Sequence, residues 1–97
     1  MKTRARLDGN HREVVQALQA IGCSVQSLAA VGKSCPDLLV GYRGRNVLLE
    51  VKAGRGKLTD GQAAWQFTWA GQVSTVWSSE EAVAVMQETA GDGGPTR

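Results

Sequence analysis

The sequence has few of the residues on which zinc sites and disulfide-stabilised folds depend. Its 97 residues include one histidine and two cysteines. Cys23 and Cys35 do not have the spacing of zinc ligands, and neither has a histidine nearby in the sequence, so we expect no structural zinc. Two thiols do not identify the compartment. By default we expect a cytoplasmic protein in which both cysteines are reduced. The alternative is a Cys23–Cys35 disulfide.

Long apolar runs are also missing. No segment approaches the roughly 18 consecutive apolar residues that a membrane-spanning helix needs. The basic residues 1–6 are not followed by the apolar segment of a secretory signal. The glycine-containing segment 54–57 matches neither a Walker loop nor a dinucleotide-binding fingerprint. These absences predict a cytoplasmic protein with no membrane segment and no nucleotide cofactor.

The net charge of +2 is too small to indicate nucleic-acid binding, but the charges are unevenly distributed. Residues 60–92 contain acidic side chains and no lysine or arginine. The basic residues before them are interpreted either as a surface that faces phosphates or as an ordinary solvated surface. The candidate DNA contacts are Arg12, Lys33, Arg43, Arg45, Arg55 and Lys57.

Hydrophobic periodicity and capping residues predict one small domain with the order α-β-β-β-α-β-α. The predicted helices are residues 10–21, residues 60 to 69 or 70, and a last helix that begins after Ser78 or Ser79. The predicted strands are residues 23–28, 37–42, 46–53 and 73–77. The third and fourth strands flank a helix, which predicts a right-handed parallel crossover and a mixed four-stranded sheet with helices packed against it. Residues 1–9 are expected to be a flexible basic N-terminus, and residues 91–97 a flexible tail.

The middle of the chain contains two short apolar runs joined by a polar, glycine-containing link, which is typical of a β-hairpin. A turn centred on Arg43-Gly44 places Asp37 opposite Glu50, whereas a slip of one residue leaves the two carboxyl groups diagonal. Because side chains alternate along a strand, Glu50 and Lys52 share a face. The hairpin therefore gathers two carboxyl groups and an ammonium group.

Such a cluster predicts a functional site, because two neighbouring carboxylates repel and each loses hydration beside apolar strands. A divalent cation offsets both effects, and Mg²⁺ commonly binds through one or two carboxylates together with water and phosphate. Lys52 would then orient or deprotonate a water, or hold a phosphate. The alternative is that Asp37 belongs to a turn after Pro36, and that Glu50 and Lys52 end a strand in solvent.

Three further features have two interpretations each. Residues 54–57 form either a basic loop that approaches a phosphate closely or a plain turn. Glu13 either stabilises the first turn of its helix or leans toward the sheet. The aromatic residues of the second helix, Trp65, Phe67 and Trp69, belong either to the core or to an exposed patch at a subunit interface.

Five segments occur along the chain in an order known from a group of nucleases. They are Glu13, Pro36-Asp37-Leu38, Glu50-Val51-Lys52, Leu58-Thr59-Asp60-Gly61-Gln62 and Trp65. This order resembles the PD-(D/E)XK nuclease superfamily, and most closely its small stand-alone VRR-Nuc nucleases from phages and bacteria. One position departs from the family pattern: Ser34 stands where glycine is common. If the turn there needs a positive φ, Ser34 strains the entry to the first hairpin strand.

The resemblance implies a restriction-endonuclease-like α/β fold, with residues 10–90 as a single nuclease domain. It implies an endodeoxyribonuclease that uses Mg²⁺, or Mn²⁺ as a substitute, and is structure-selective or weakly sequence-specific. It also implies a bacterial or phage-encoded cytoplasmic homodimer that acts on DNA, including branched or junction DNA. The alternatives are a Holliday-junction resolvase proper and a DNA-binding nuclease-fold subunit that needs a partner for activity.

The resemblance also implies a role for each site residue. The implied site residues are Glu13, Asp37, Glu50, Val51, Lys52 and Gln62. Asp37, Glu50 and the Val51 carbonyl would bind the metal, and Glu13 would complete its shell directly or through water. Lys52 would position or activate the attacking water, and Gln62 would support the site from the second helix.

Overall fold

The computed structural model describes residues 2–91, with side chains for residues 10–89. The described residues form seven elements in the predicted order. The helices are α1 (Lys2–Ala20), α2 (Asp60–Thr68) and α3 (Ser79–Gly91), and the strands are β1 (Ser24–Ser27), β2 (Leu38–Tyr42), β3 (Arg45–Val51) and β4 (Val73–Val76). None of these described helices has both the length and the apolar character needed to cross a bilayer.

The strands form one sheet in the order β1-β2-β3-β4. The pairs β1–β2 and β2–β3 are antiparallel, and the pair β3–β4 is parallel. A parallel pair needs a crossover connection, and here α2 lies in that connection. The α/β class, the mixed four-stranded sheet and the parallel crossover are therefore confirmed.

The hydrophobic core lies between one face of the sheet and the two helices α1 and α3. Alternate residues of β2 and β3 point into this core, because successive side chains of a strand face opposite sides of a sheet. The largest buried side chains there are Leu18 of α1, Leu38 of β2, Leu49 of β3 and Met86 of α3. Glu50, next to Leu49 along β3, therefore points to the opposite face.

The β2–β3 hairpin has the register that a turn at residues 43–44 predicts. Both residues of this turn have positive φ angles, 52° and 82°, as the two-residue turn that matches strand twist requires. Leu38 pairs with Leu49, and the same register sets the next residues, Asp37 and Glu50, opposite each other. The alternative of a slip by one residue is excluded.

Helix α2 lies on the face of the sheet opposite to α1 and α3. Thr59 caps it: the Thr59 side chain accepts a hydrogen bond from the Gln62 N–H at 3.0 Å, and the Gln62 side chain accepts one from the Thr59 N–H at 2.9 Å. Within α2, whose nine residues are all described, none is fully buried. The helix meets the sheet partly through polar contacts, such as the hydrogen bond of 3.1 Å from Gln66 to the Thr75 hydroxyl.

Some element boundaries differ from the prediction. Helix α1 begins at Lys2 and not at Asn10, because the preceding lysine, arginine and alanine residues favour helix and an internal glycine costs only about 1 kcal/mol. Strand β3 ends at Val51 and not at residue 53, since the chain then enters a turn. Of the tail predicted for residues 91–97, Gly91 ends α3, and the rest lies outside the described residues.

Candidate active site

Asp37 lies immediately before β2 and faces the end of β3. Its Oδ2 accepts a hydrogen bond from the backbone N–H of Val51 at 2.8 Å. This bond continues the hairpin pairing beyond its last strand residues and ties the start of β2 to the end of β3. The Asp37 carboxyl is thereby held beside Glu50, as the predicted register requires.

Glu50 is a buried acid in the centre of the cluster, with only 3% of its surface exposed. Its Oε2 accepts a hydrogen bond from Gln62 Nε2 at 3.2 Å. Its Oε1 is buried and has no hydrogen-bond partner among the described residues. Burial, and then the negative charge of Asp37, raise the pKa of Glu50 to about 7, although the nearby Lys52 opposes this change.

Lys52 follows β3 directly and supplies the positive charge of the cluster. Its Nζ lies 3.8 Å from Glu50 Oε2, and 16% of the Lys52 side chain is exposed. Its backbone is held on both sides: the N–H donates to the Val76 carbonyl at 2.9 Å, and the carbonyl accepts from Asn10 Nδ2 at 2.8 Å. Strand β4 and helix α1 therefore both fix the position of Lys52.

Gln62 links the cap of α2 to the cluster. Its side-chain oxygen accepts from the Thr59 N–H, so its amide nitrogen is turned toward Glu50. The capping box thus selects the orientation in which the amide donates to the carboxyl. One side chain therefore both caps α2 and contacts the Glu50 carboxyl.

The loop between β1 and β2 approaches the start of α2 at this same end of the sheet. A Cβ atom on Gly61 would lie 2.6 Å from Ser34 Oγ, so the two segments are in close contact. Ser34 has a φ of 68°, so the turn does need the left-handed conformation in which glycine is common. Its neighbour Lys33, with a φ of 56°, is exposed there.

The predicted DNA-contacting residues are all exposed but do not form one surface patch. Arg55 and Lys57 lie in the loop that follows Lys52. The other hairpin arginines, Arg43 and Arg45, lie at the far end of β3, since the five residue steps from Arg45 to Glu50 span roughly 16 Å. Arg12 is exposed on α1.

Glu13 is not brought into the cluster. It is exposed on α1, and no group of three acidic, histidine or cysteine side chains in the described part of the chain is arranged to hold a metal. The acidic side chains that the structure brings together are therefore two, those of Asp37 and Glu50. Val51 is present at the site, where its N–H binds Asp37.

Two residues that contact the site were missed by the sequence analysis. Asn10 was predicted only as the first residue of a helix, yet its side chain binds the Lys52 carbonyl. Trp77 was interpreted only as a strand residue, yet its indole N–H donates to the Gly56 carbonyl at 2.7 Å. Both bonds join residues far apart in the chain, so no local pattern could have revealed them.

The donor set fits a divalent cation that prefers oxygen ligands. Two carboxyl groups lie side by side, and one of their oxygens, Glu50 Oε1, is buried without a protein partner among the described residues. A cation of this class binds through one or two carboxylates and retains several waters. It would also offset the burial and the repulsion from Asp37 that together raise the pKa of Glu50. Comparisons with protein-family models, curated proteins and solved structures found no match to this chain.

Proposed function

We propose that this chain is a Mg²⁺- or Mn²⁺-dependent endodeoxyribonuclease with a restriction-endonuclease-like fold. The observation that carries the proposal is the buried Glu50, which lies beside both Asp37 and Lys52 and has one oxygen with no partner in the described part of the chain. A buried carboxylate next to a second one is unfavourable in a domain with a purely structural role. Perturbed acids of this kind are concentrated at functional sites.

Each residue of the cluster has its own role in the proposed reaction. Asp37, Glu50 and the Val51 carbonyl would hold the metal. When bound, the metal supplies positive charge that polarises the scissile phosphate and acidifies the attacking water. Lys52, with its Nζ 3.8 Å from Glu50, orients that water or donates to the phosphate as a compact cation. Gln62 keeps the Glu50 carboxyl in a fixed orientation through its hydrogen bond.

The proposed substrate is DNA, and the contacts to it come mainly from one end of the sheet. Lys33, Arg55 and Lys57 are exposed. Arg55 and Lys57 follow Lys52 in the chain, and Lys33 precedes Ser34, which lies against Gly61 at the start of α2. Lysine and arginine bind phosphates without reading sequence, so cleavage is structure-selective or weakly sequence-specific. We assign Glu13 no direct contact with the metal, because it is exposed and outside the cluster; its contribution would be through water.

The proposed enzyme acts as a homodimer that uses α2. Phe67 is 90% exposed and Trp69 47% exposed, and the Trp69 ring stacks on Trp65 with a centroid distance of 4.6 Å. Large exposed aromatic side chains are typical of protein interfaces. Two sites in a dimer would cut paired strands, which favours a Holliday-junction resolvase as the second candidate function.

The proposal is tested by cleavage of a labelled DNA panel that contains linear duplex, single strand, flap and four-way junction. Each substrate is incubated with Mg²⁺, with Mn²⁺ and with a chelator. Lys52→Ala is expected to abolish metal-dependent cutting while it retains DNA binding. The matched variant Lys33→Ala removes the same charge from an exposed position and is expected to alter KM more than kcat.

Each outcome points to one function. Paired symmetric cuts in the junction alone identify a resolvase. Cutting of several substrates identifies the more general endonuclease. Binding of DNA without cutting, in all metal conditions, supports instead a DNA-binding subunit that needs a partner. Absence of both binding and cutting refutes the proposal.

A further inference from the structure

The loop after β3 is folded back onto Lys52 and is held there by a tryptophan. The indole Nε1–H of Trp77 donates a hydrogen bond of 2.7 Å to the Gly56 carbonyl. The Gly56 N–H donates to the Ala53 carbonyl at 2.8 Å and closes a turn. A Cβ atom on Gly56 would lie 3.6 Å from Lys52 Cβ, so the glycine backbone packs against the lysine side chain.

Trp77 is itself held at the junction of β4 and α3. Its backbone N–H donates to Glu81 Oε1 at 2.6 Å, and Glu81 lies in the first turn of α3. The preceding residue, Val76, accepts the hydrogen bond from the Lys52 N–H. Since 38% of Trp77 is exposed, burial alone does not fix its ring, and the indole hydrogen bond provides a directional contact.

We propose that Trp77 is a positioning residue of the active site, which holds residues 53–57 against Lys52. In this arrangement the Lys52 ammonium stays near Glu50. The exposed cations of the loop, Arg55 and Lys57, are held beside Lys52, where they would bind phosphates of the same DNA strand. This inference rests on the proposed nuclease function, because the role of Lys52 that Trp77 serves is part of that chemistry.

The proposal has two separable consequences. A released loop gives the Lys52 side chain more rotamer freedom, which lowers kcat because the ammonium is less often in place. A released loop also leaves Arg55 and Lys57 unordered before DNA binds, which raises KM because the loop must then be ordered on binding. Substitution of a tryptophan that had only a structural role at the end of β4 would produce neither effect.

The first test measures acetylation of Lys52 by an amine-reactive ester, in the absence of DNA and metal. Mass spectrometry follows Lys52 relative to the exposed Lys33 of the same molecule. Trp77→Phe keeps an aromatic ring but removes the donor, and is expected to raise relative labelling of Lys52 about fivefold, the factor that corresponds to a lost hydrogen bond of about 1 kcal/mol. Trp69→Phe makes the same change directly after α2 and is expected to leave Lys52 labelling unchanged.

A second variant covers the case in which Trp77→Phe fails to fold. Gly56→Ala places a Cβ atom 3.0 Å from the Ala53 carbonyl oxygen and is expected to displace the loop while Trp77 stays intact. Unchanged Lys52 labelling in the folded variants overturns the proposal. So does increased labelling with unchanged kcat and KM on DNA, because the loop would then be held without serving the site.

The kinetic arm completes the test. Increased labelling together with a kcat reduced about tenfold and a raised KM supports the positioning role. A wild-type protein that cuts no DNA refutes the proposed nuclease function and, with it, the catalytic part of this inference. The labelling experiment decides separately whether Trp77 holds the loop, so the two failures are distinguishable.

Discussion

The buried acid at the centre of the site should make the metal-free protein less stable as pH rises. Burial and the neighbouring Asp37 raise the pKa of Glu50 from its usual 4.5 to about 7. Between these pH values the folded protein retains a proton that the unfolded chain has lost. Because the folded state binds more protons in this range, the free energy of unfolding decreases with increasing pH.

The size of the effect follows from the difference between the two pKa values. A change from 4.5 to about 7 corresponds to a loss of about 3 kcal/mol between pH 4.5 and pH 8. Glu50→Gln keeps the shape of the side chain and cannot ionise, so it should not show this loss. The stability of Glu50→Gln relative to the wild type should therefore increase by about 3 kcal/mol over the same range.

The assay is urea unfolding of both proteins from pH 4.5 to pH 8.5, with a chelator present to remove divalent metal. The other ionisable groups occur in both proteins, so their contributions cancel to first order in the difference. A difference that stays flat with pH, or that falls as pH rises, would refute the reasoning. In that case Glu50 would be ionised in the folded protein at little cost.

Two other predictions concern strain and assembly. Ser34→Gly should raise the free energy of unfolding by up to about 1 kcal/mol, because it relieves a positive φ of 68°. The control Ser24→Gly, in strand β1, should lower the free energy of unfolding in the same urea titration. A lower free energy of unfolding in Ser34→Gly would contradict the strain argument. Phe67→Ser should weaken the proposed homodimer with little effect on folding, because the ring is 90% exposed. Sedimentation velocity measures the dimer fraction, with Ala63→Ser as the control. A wild type that is monomeric at all concentrations rules the dimer out.

The parts of the fold that were predictable depend on local chemistry. Residues 43–44 specify a two-residue turn, and this turn alone fixes the register that sets Asp37 opposite Glu50. The capping box of Thr59 and Gln62 likewise marks the start of α2 within four residues of sequence. In both cases the physical determinant and its consequence are close together in the chain.

The parts that were not predictable depend on contacts between distant residues. Asn10 and Lys52 are separated by 42 positions, and Trp77 and Gly56 by 21, so no periodicity or spacing connects them. Whether Glu13 faces the sheet depends on which side of α1 packs against the sheet. The sequence did not decide this, because Glu13 lies next to the apolar side of the helix. The predicted start of the first helix was wrong because Asp8, Gly9 and Asn10 are residue types that favour helix caps, yet all three lie inside α1.

The position of Lys52 makes the site dependent on nearly every layer of the fold. It follows the strand that pairs with β2 on one side and β4 on the other, and its two backbone groups bind β4 and α1. Its side chain meets an acid whose burial opposes ionisation. Variants that neutralise this acid should therefore stabilise the metal-free protein at neutral pH while they remove the proposed activity. If a single substitution has both effects, the cluster is maintained for its chemistry and not for folding.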